Sequence, residues 1–390
     1  MAETTEYEFK SQLDEKCPES WFKTVSAFLN SAGGQIFFGV SDSSEIIGIN
    51  NVELTSKHIC NFIKDRISPQ PEFCLNPHRI DDGKIILVLK VPSGTLRPYL
   101  YVADGVSTAF VRRDNESIPA PLQRLYELAR RGKNISFDSV PTNFKMTDLS
   151  FTVLTAAFKR VEKKELTLED FVSFGLCLPD STLTYAGLLF ADDCPLIQSR
   201  IFCTRWNGLT KSSIGTAYDS EEFKGDILSL LKDSTKFARL NSKARIRIMS
   251  NHHIKVVNYA ERAVSEALVN ALMHRNWSVI GSEVHLDIFD DRMEIYSPGG
   301  MINGRLIQQC DINHLASECR NPIIADILER IGYAELQGSG LKRILEETSL
   351  LYGYTDKAEP AFYSSSTDFF VILKNVSYGN LDDTLDSNGR

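Results

Sequence analysis

The sequence predicts an α+β protein made of more than one domain. Three observations carry this. The chain has 390 residues, more than a single hydrophobic core usually serves. Its first third reads as short strands and helices in the order β-α-β-β-α-β. Residues 236–376 read differently: a long helix, a β-hairpin, a loop and a Gly-rich turn that opens a further helix.

The elements follow in order. At the start, Tyr7 and Phe9 alternate with Glu6, Glu8 and Lys10, which is strand period. WFKTVSAFLNSAGG then places Trp21, Val25, Phe28 and Leu29 at helical spacing, and Gly33 and Gly34 stop that helix. QIFFGVSD reads as a buried strand with IIGI as its hairpin partner, followed by a helix over 55–67 and the strand KIILVLKVP. From Arg130 to Asp148 the chain is polar and reads as a linker. Residues 151–235 hold a helix, a strand pair in LTYAGLLFA and a strand in SRIFCTRW. The tail from 377 to 390 has little apolar content and is expected to be disordered.

Composition narrows the function classes. Hydrophobic residues make up 43% and charged residues 24%, as in soluble globular proteins. No apolar run approaches the roughly 20 residues needed to span a bilayer, so no membrane role is expected. The acidic opening MAETTEYEFK is unlike a secretory leader, which points to the cytoplasm. The eight cysteines form no C-x-x-C pair and read as scattered thiols rather than a zinc site. A net charge of −8 argues against a general polyanion binder. Nucleic-acid binding then needs a local basic face. Arg112 with Arg113, Arg124 with Arg130, Arg131 and Lys133, and Lys159 with Arg160, Lys163 and Lys164 are the candidates. Each cluster reads equally well as a solvated helix face or strand end.

In EYEFK, Glu8 and Lys10 share one strand face. A carboxylate and a lysine so placed suit metal-dependent phosphodiester cleavage: the carboxylate holds Mg²⁺ or Mn²⁺ and the lysine balances the phosphate. Asp42 supplies a second carboxylate at a strand end, and Glu3 or Glu6 a third. A structural polar cluster is the competing account. ETTEYEFK, AFLNSAGGQIFFGVSD, IIGIN, RPYL, FVRR and SIPA together resemble the Schlafen AlbA-like domain over residues 1–125. The resemblance implies DNA or RNA binding. In some members it implies RNA cleavage by two glutamates and one aspartate, which fall on Glu3, Glu8 and Asp42. For Asn30, Gly33 and Gly34, a helix C-cap followed by the start of a strand is the better account than ligand contact.

The second constellation lies in NYAERAVSEALVNALMHRNW. Ala260, Val264, Ala267, Leu268, Ala271 and Leu272 form an apolar stripe. Arg262, Glu266, Asn270 and His274 recur every four residues on an adjoining face, a ladder that taken alone also reads as a solvent face. EVHLDIFDDRMEIYSPGGM reads as a hairpin. ELQGSGLKRILEE is a Gly-x-Gly turn at a helix start, where backbone amides attract phosphate. This order resembles the GHKL (Bergerat-type) nucleotide-binding α/β sandwich, in a bacterial variant associated with Schlafen-type domains. The resemblance makes Glu266 and Asn270 the N-box, with Asn270 on Mg²⁺, and Gly338 to Gly340 the phosphate turn. It also places His274, Gly299 and Gly300 at the nucleotide. One departure stands out: Tyr296, Ser297, Pro298, Gly299 and Gly300 occupy the place of D-x-G-x-G, whose Asp reads adenine.

The expected organisation is therefore a Schlafen AlbA-like domain over 1–135, a connecting α/β region over 136–235, a divergent GHKL-like domain over 236–376 and a tail over 377–390. Two activities compete. The first is a nucleic-acid-binding regulator with a nucleotide-sensing or assembly module, open to homo-oligomerisation. The second is an Mg²⁺- or Mn²⁺-dependent endonuclease acting on RNA or single strands. A protein-interaction scaffold is the third, blander possibility.

Overall fold

The computed structural model describes residues 6–13, 19–41, 43–80, 83–113, 115–211, 217–242, 244–248, 253–302, 304–315, 318–334 and 339–378. The chain divides into two compact units, Met1–Ile135 and Ser136–Arg390. Both mix helices and sheets.

The first unit runs β1 (Tyr7–Lys10), α1 (Glu19–Leu29), β2 (Gly33–Phe38), α2 (Val52–Arg66), β3 (Ile67–Ser68), β4 (Cys74–Arg79), β5 (Ile85–Pro92), β6 (Leu100–Ala103), β7 (Val106–Arg113), β8 (Glu116–Pro119) and α3 (Leu122–Gly132). One four-stranded sheet has the order β1-β2-β5-β4, and a second has β3-β6-β7-β8. In the first, β1 and β2 are parallel, with Glu8 opposite Ile36 and Lys10 opposite Phe38. Helix α1 packs on both sheets. Its predicted apolar residues Trp21, Val25, Phe28 and Leu29 are almost wholly buried, against Ile36, Leu87 and Leu89 of one sheet and Tyr101 and Phe110 of the other. Each such side chain contributes about 1.5–3 kcal/mol.

Asn30 does more than end α1. Its amide donates to the Tyr99 carbonyl at 2.8 Å and the Phe110 carbonyl at 3.0 Å, and its carbonyl accepts from Tyr99 N at 2.8 Å. The fully buried side chain therefore ties α1 to the second sheet. Gly33 follows at φ +90, and a Cβ there would meet the Val91 carbonyl at 2.8 Å, so only glycine fits where β2 starts against β5.

Two readings of this half need correction. IIGI is no hairpin strand: Val40 and Ile46 make one isolated bridge, because the chain reverses tightly, with Ile47 N and Gly48 N both donating to the Gly39 carbonyl. The strand order β-α-β-β-α-β also omitted β4, which carries Pro77 and is an edge strand where a missing donor costs no ladder bond.

The second unit runs β9 (Pro141–Lys145), α4 (Thr152–Glu162), α5 (Leu168–Ser173), β10 (Thr182–Thr184), α6 (Tyr185–Leu189), β11 (Arg200–Trp206), β12 (Ala217–Lys224), α7 (Ile227–Asn241), β13 (Ala244–Ile248), β14 (His253–Val257), α8 (Glu261–Met273), β15 (Val284–Ile288), β16 (Arg292–Pro298), α9 (Pro322–Arg330), α10 (Gly340–Ser349), β17 (Ala361–Ser364) and β18 (Asp368–Lys374). A six-stranded sheet has the order β12-β11-β15-β16-β18-β17. Helix α7 packs on β11, β12 and β15, α8 on β16 and β18, and α10 on α8. The predicted hairpin is present, with Leu286 opposite Ile295 and Ile288 opposite Met293. The predicted stripe of α8 is buried throughout.

LTYAGLLFA is the misreading here. It forms the short strand β10 and then the helix α6, capped by Thr184, whose hydroxyl accepts from Gly187 N at 3.2 Å. A short continuous apolar run fits a buried helix turn as well as a strand. The stretch taken as linker is partly structured: β9 pairs with β10, and buried Asp138 accepts from Ile323 N at 2.8 Å and Ile324 N at 3.1 Å, capping α9. No helix among the described residues is long and apolar enough to cross a membrane.

Candidate functional site

In the second unit the α8 ladder divides: Arg262 is exposed, whereas the other three turn to a cavity. Glu266, Asn270 and His274 line one cavity of about 170 Å³ together with Gly299, Gly300 and Gly340. Helical spacing aims the three α8 side chains the same way, and α10 closes over them. The Glu266 Oε1 accepts from Asn270 Nδ2 at 3.2 Å, and its Oε2 is 3.4 Å from the Arg343 guanidinium of α10. A Cβ at Gly340 would lie 2.6 Å from Glu266 Oε1 and 2.8 Å from Asn270 Nδ2. The α10 backbone thus approaches the carboxylate–amide pair as closely as a chain can, in a cradle that any side chain would fill.

Gly299 and Gly300 are required by packing as well as by the cavity. Gly299 has φ +114, and a Cβ on Gly300 would sit 2.1 Å from the Ser365 carbonyl. Arg320 fixes this turn: it donates to the His274 carbonyl at 3.0 Å and the Gly300 carbonyl at 2.5 Å. Burial, reinforced by Arg320, pushes the His274 imidazole down to about 4, so at neutral pH it offers one donor and one acceptor without charge. Much of the remaining wall is apolar, from Met273, Ile295, Met301, Ile307, Phe369 and Val371. That suits a flat, weakly polar group, while the first amides of α10 suit phosphate.

The missing adenine-reading carboxylate has no substitute from β18. Phe369 and Val371 face the cavity, whereas Asp368 accepts from the Tyr296 hydroxyl at 2.9 Å and does not line it. Sequence reasoning gave Arg320 and Arg343 no role. A signal for Arg343 existed, since it stands three residues after Gly340 and therefore on the same helix face. Gly338 lies outside the described residues.

In the first unit, Glu8, Lys10 and Arg112 come together. The Glu8 carboxylate, 11% exposed, is 3.0 Å from Lys10 Nζ and 2.7 Å from Arg112. Arg112 is almost buried, donates to Ser117 Oγ at 3.1 Å and lies over the Phe28 ring at 5.2 Å. It is part of the fold's interior rather than a solvated strand end, while Arg113 beside it is exposed. Arg130 and Arg131 sit half-buried in the last turn of α3, where cations complement the helix dipole. Glu3 and Asp42 lie outside the described residues. Among the described residues no three His, Cys, Asp or Glu side chains converge as a metal site.

A family model described as "Schlafen, AlbA_2" matches residues 3–121, and one described as "Putative ATP-dependent DNA helicase recG C-terminal" matches residues 281–373. No curated protein matches the chain. Among solved structures, the DIP2311 protein of Corynebacterium diphtheriae is similar at 18% identity and a TM-score of 0.52, covering 95% of this chain and 75% of that one. That likeness concerns the fold alone. The N-terminal domain of a RecG-related protein from Nitrosomonas europaea shares 21% identity over 29% of this chain and 79% of its own, at a TM-score of 0.22.

Proposed function

We propose that this chain is a nucleic-acid-binding protein whose second unit binds a Mg²⁺-nucleotide and thereby acts as a sensor. One observation carries the nucleotide half: Glu266, Asn270, His274, Gly299, Gly300 and Gly340, distant in sequence, line one cavity at the start of α10. Asn270 would hold Mg²⁺ there, and the metal would neutralise part of the phosphate charge. Glu266 would polarise water near the outer phosphate, the amides of α10 would take phosphate oxygens, and the apolar wall would take the base. The nucleic-acid half rests on the Schlafen, AlbA_2 match to residues 3–121 and on exposed Arg113.

A metal-dependent nuclease has less support. Glu8 would have to give up Lys10 or Arg112 to take a cation, and either exchange uncovers a charge in a mostly buried place. What favours it is the parallel pairing of β1 with β2, which sets Glu8 beside the strand that leads toward Asp42.

The test uses the full chain. MgATP, MgGTP and Mg²⁺ alone are titrated while melting temperature is followed. Fluorescence anisotropy then measures binding to single-stranded DNA, duplex DNA and tRNA, with and without the nucleotide that binds. A nucleotide-dependent stabilisation that Asn270→Ala removes is expected, together with a change in nucleic-acid affinity. No shift with any nucleotide at millimolar concentration would remove the sensor, and gel analysis of the same tRNA with Mn²⁺ would expose a nuclease.

A further inference from the structure

Glu266 lies where α8 meets α10 and has little exposure. One of its oxygens accepts from Asn270 at 3.2 Å and the other lies 3.4 Å from Arg343, and its side chain is only 9% exposed. Both contacts are longer than good hydrogen bonds to charged groups, which run near 2.7–2.9 Å. Arg343 is 27% exposed and stands one helical turn beyond Gly340 on the same face of α10. Arg343 does not itself line the cavity; it meets it through Glu266, which does, so a phosphate at the start of α10 would reach the guanidinium by taking the place of Glu266.

Resting on the nucleotide reading above, we propose that Arg343 is the phosphate-reading residue of this site, and that it works by exchange. Without ligand, Glu266 is the counter-ion of Arg343. With ligand, a phosphoryl group takes that place. The phosphate is the better partner: it carries more charge than a carboxylate and offers oxygens in the geometry of the planar guanidinium. The exchange releases Glu266 from Arg343, so the carboxylate is withheld until a phosphate has been recognised. The site then discriminates by number of phosphates, while the apolar wall accepts the base with little selectivity.

This makes two variants act in opposite directions, which a packing role for the pair would not do. Arg343→Gln removes the reader. Glu266→Gln removes the anion that competes with the ligand while keeping size and hydrogen-bonding capacity. Titration calorimetry of the full chain with adenosine, AMP, MgADP and MgATP at fixed Mg²⁺ reads the outcome. The wild type is expected to show one step of about tenfold in affinity along this series, the worth of a hydrogen-bonded charge pair. Arg343→Gln should flatten that step to within about twofold, and Glu266→Gln should tighten the phosphate-bearing ligands severalfold without changing adenosine. Melting curves of the ligand-free variants confirm that both fold.

Arg343→Gln that folds and keeps the step, or Glu266→Gln that leaves phosphate-bearing ligands unchanged or weaker, overturns the exchange. Equal binding of all four ligands by the wild type also overturns it, while leaving a nucleoside site in place. Binding of none overturns both the exchange and the nucleotide reading.

Discussion

Replacing Gly340 by alanine separates the fold of the second unit from its ligand chemistry. Gly340 lies at the first position of α10 with no left-handed backbone requirement, so alanine meets no dihedral strain. Its Cβ, however, would be 2.6 Å from Glu266 Oε1 and 2.8 Å from Asn270 Nδ2, where ordinary contact begins at 3.4 Å. Glu266 must retreat by about 0.8 Å and Asn270 by about 0.6 Å, more than packed side chains absorb without changing partners. The 3.2 Å hydrogen bond between them is then lost, at about 1 kcal/mol. The helix gains up to about 1 kcal/mol from alanine in return. Stability should therefore change by less than about 1 kcal/mol, or about 2–4 °C in melting temperature. The ligand effect is larger: at a hundredfold excess over Kd, binding stabilises by about 2.7 kcal/mol. Differential scanning fluorimetry of Gly340→Ala should thus show a near wild-type curve that MgATP no longer moves. A variant that melts normally and responds to MgATP like the wild type would refute the role of the Gly340 cradle.

Arg113→Glu should weaken nucleic-acid binding and flatten its salt dependence at unchanged melting temperature, whereas Arg112→Glu, which sets two carboxylates together near the interior, should cost about 3–5 kcal/mol of stability; equal melting temperatures would contradict the buried placement of Arg112. His274, with a folded value near 4 against about 6.5 unfolded, binds its proton more readily when unfolded, so its contribution to stability is complete above about pH 6.5 and falls as pH drops toward 4, by up to about 3 kcal/mol. His274→Gln should remove that part of the slope in denaturation curves taken from pH 7 to pH 4, and an unchanged slope would exclude a neutral imidazole in the folded chain. Asp138→Ala leaves two amides of α9 without their acceptor and should lower stability by about 2–4 kcal/mol in urea, with Asp138→Asn costing less because a carbonyl remains; a loss under 1 kcal/mol for alanine would count against the cap.

What the sequence revealed of the fold follows from where the physics is local. Helices α1 and α8 were legible because their apolar residues repeat at the helical period against a single face each. The hairpin β15–β16 was legible from alternation around a polar turn. LTYAGLLFA was not, because six buried residues in succession, Ala186 to Ala191, carry no period. Asp138 was not, because its partners Ile323 and Ile324 lie some 185 residues away and no local pattern announces a cap supplied from that distance.

The two candidate sites differ in the same respect. Arg262, Glu266 and Asn270 recur every four residues on α8, and Gly340, Arg343 and Glu347 recur every three or four on α10. The helices bring these rows together in reverse order: Arg262 meets Glu347 at 3.2 Å, Glu266 meets Arg343 at 3.4 Å, and Asn270 meets the bare backbone of Gly340. Two periodic rows with complementary charge are a pattern that one sequence can display: the four-residue repeat on α8 is read from the residues, while its assignment to a nucleotide comes from the family resemblance. The Glu8 cluster offers no such row. Lys10 is two residues from Glu8 and was legible as its face-mate, but Arg112 arrives from a strand of the other sheet, and its burial depends on how α1 packs between the sheets. From sequence, Arg112 and Arg113 are an interchangeable basic pair. In the structure one neutralises a buried carboxylate and the other is exposed. Charge counted along the chain therefore overstates the basic surface of the first unit, since of this pair only Arg113 is exposed.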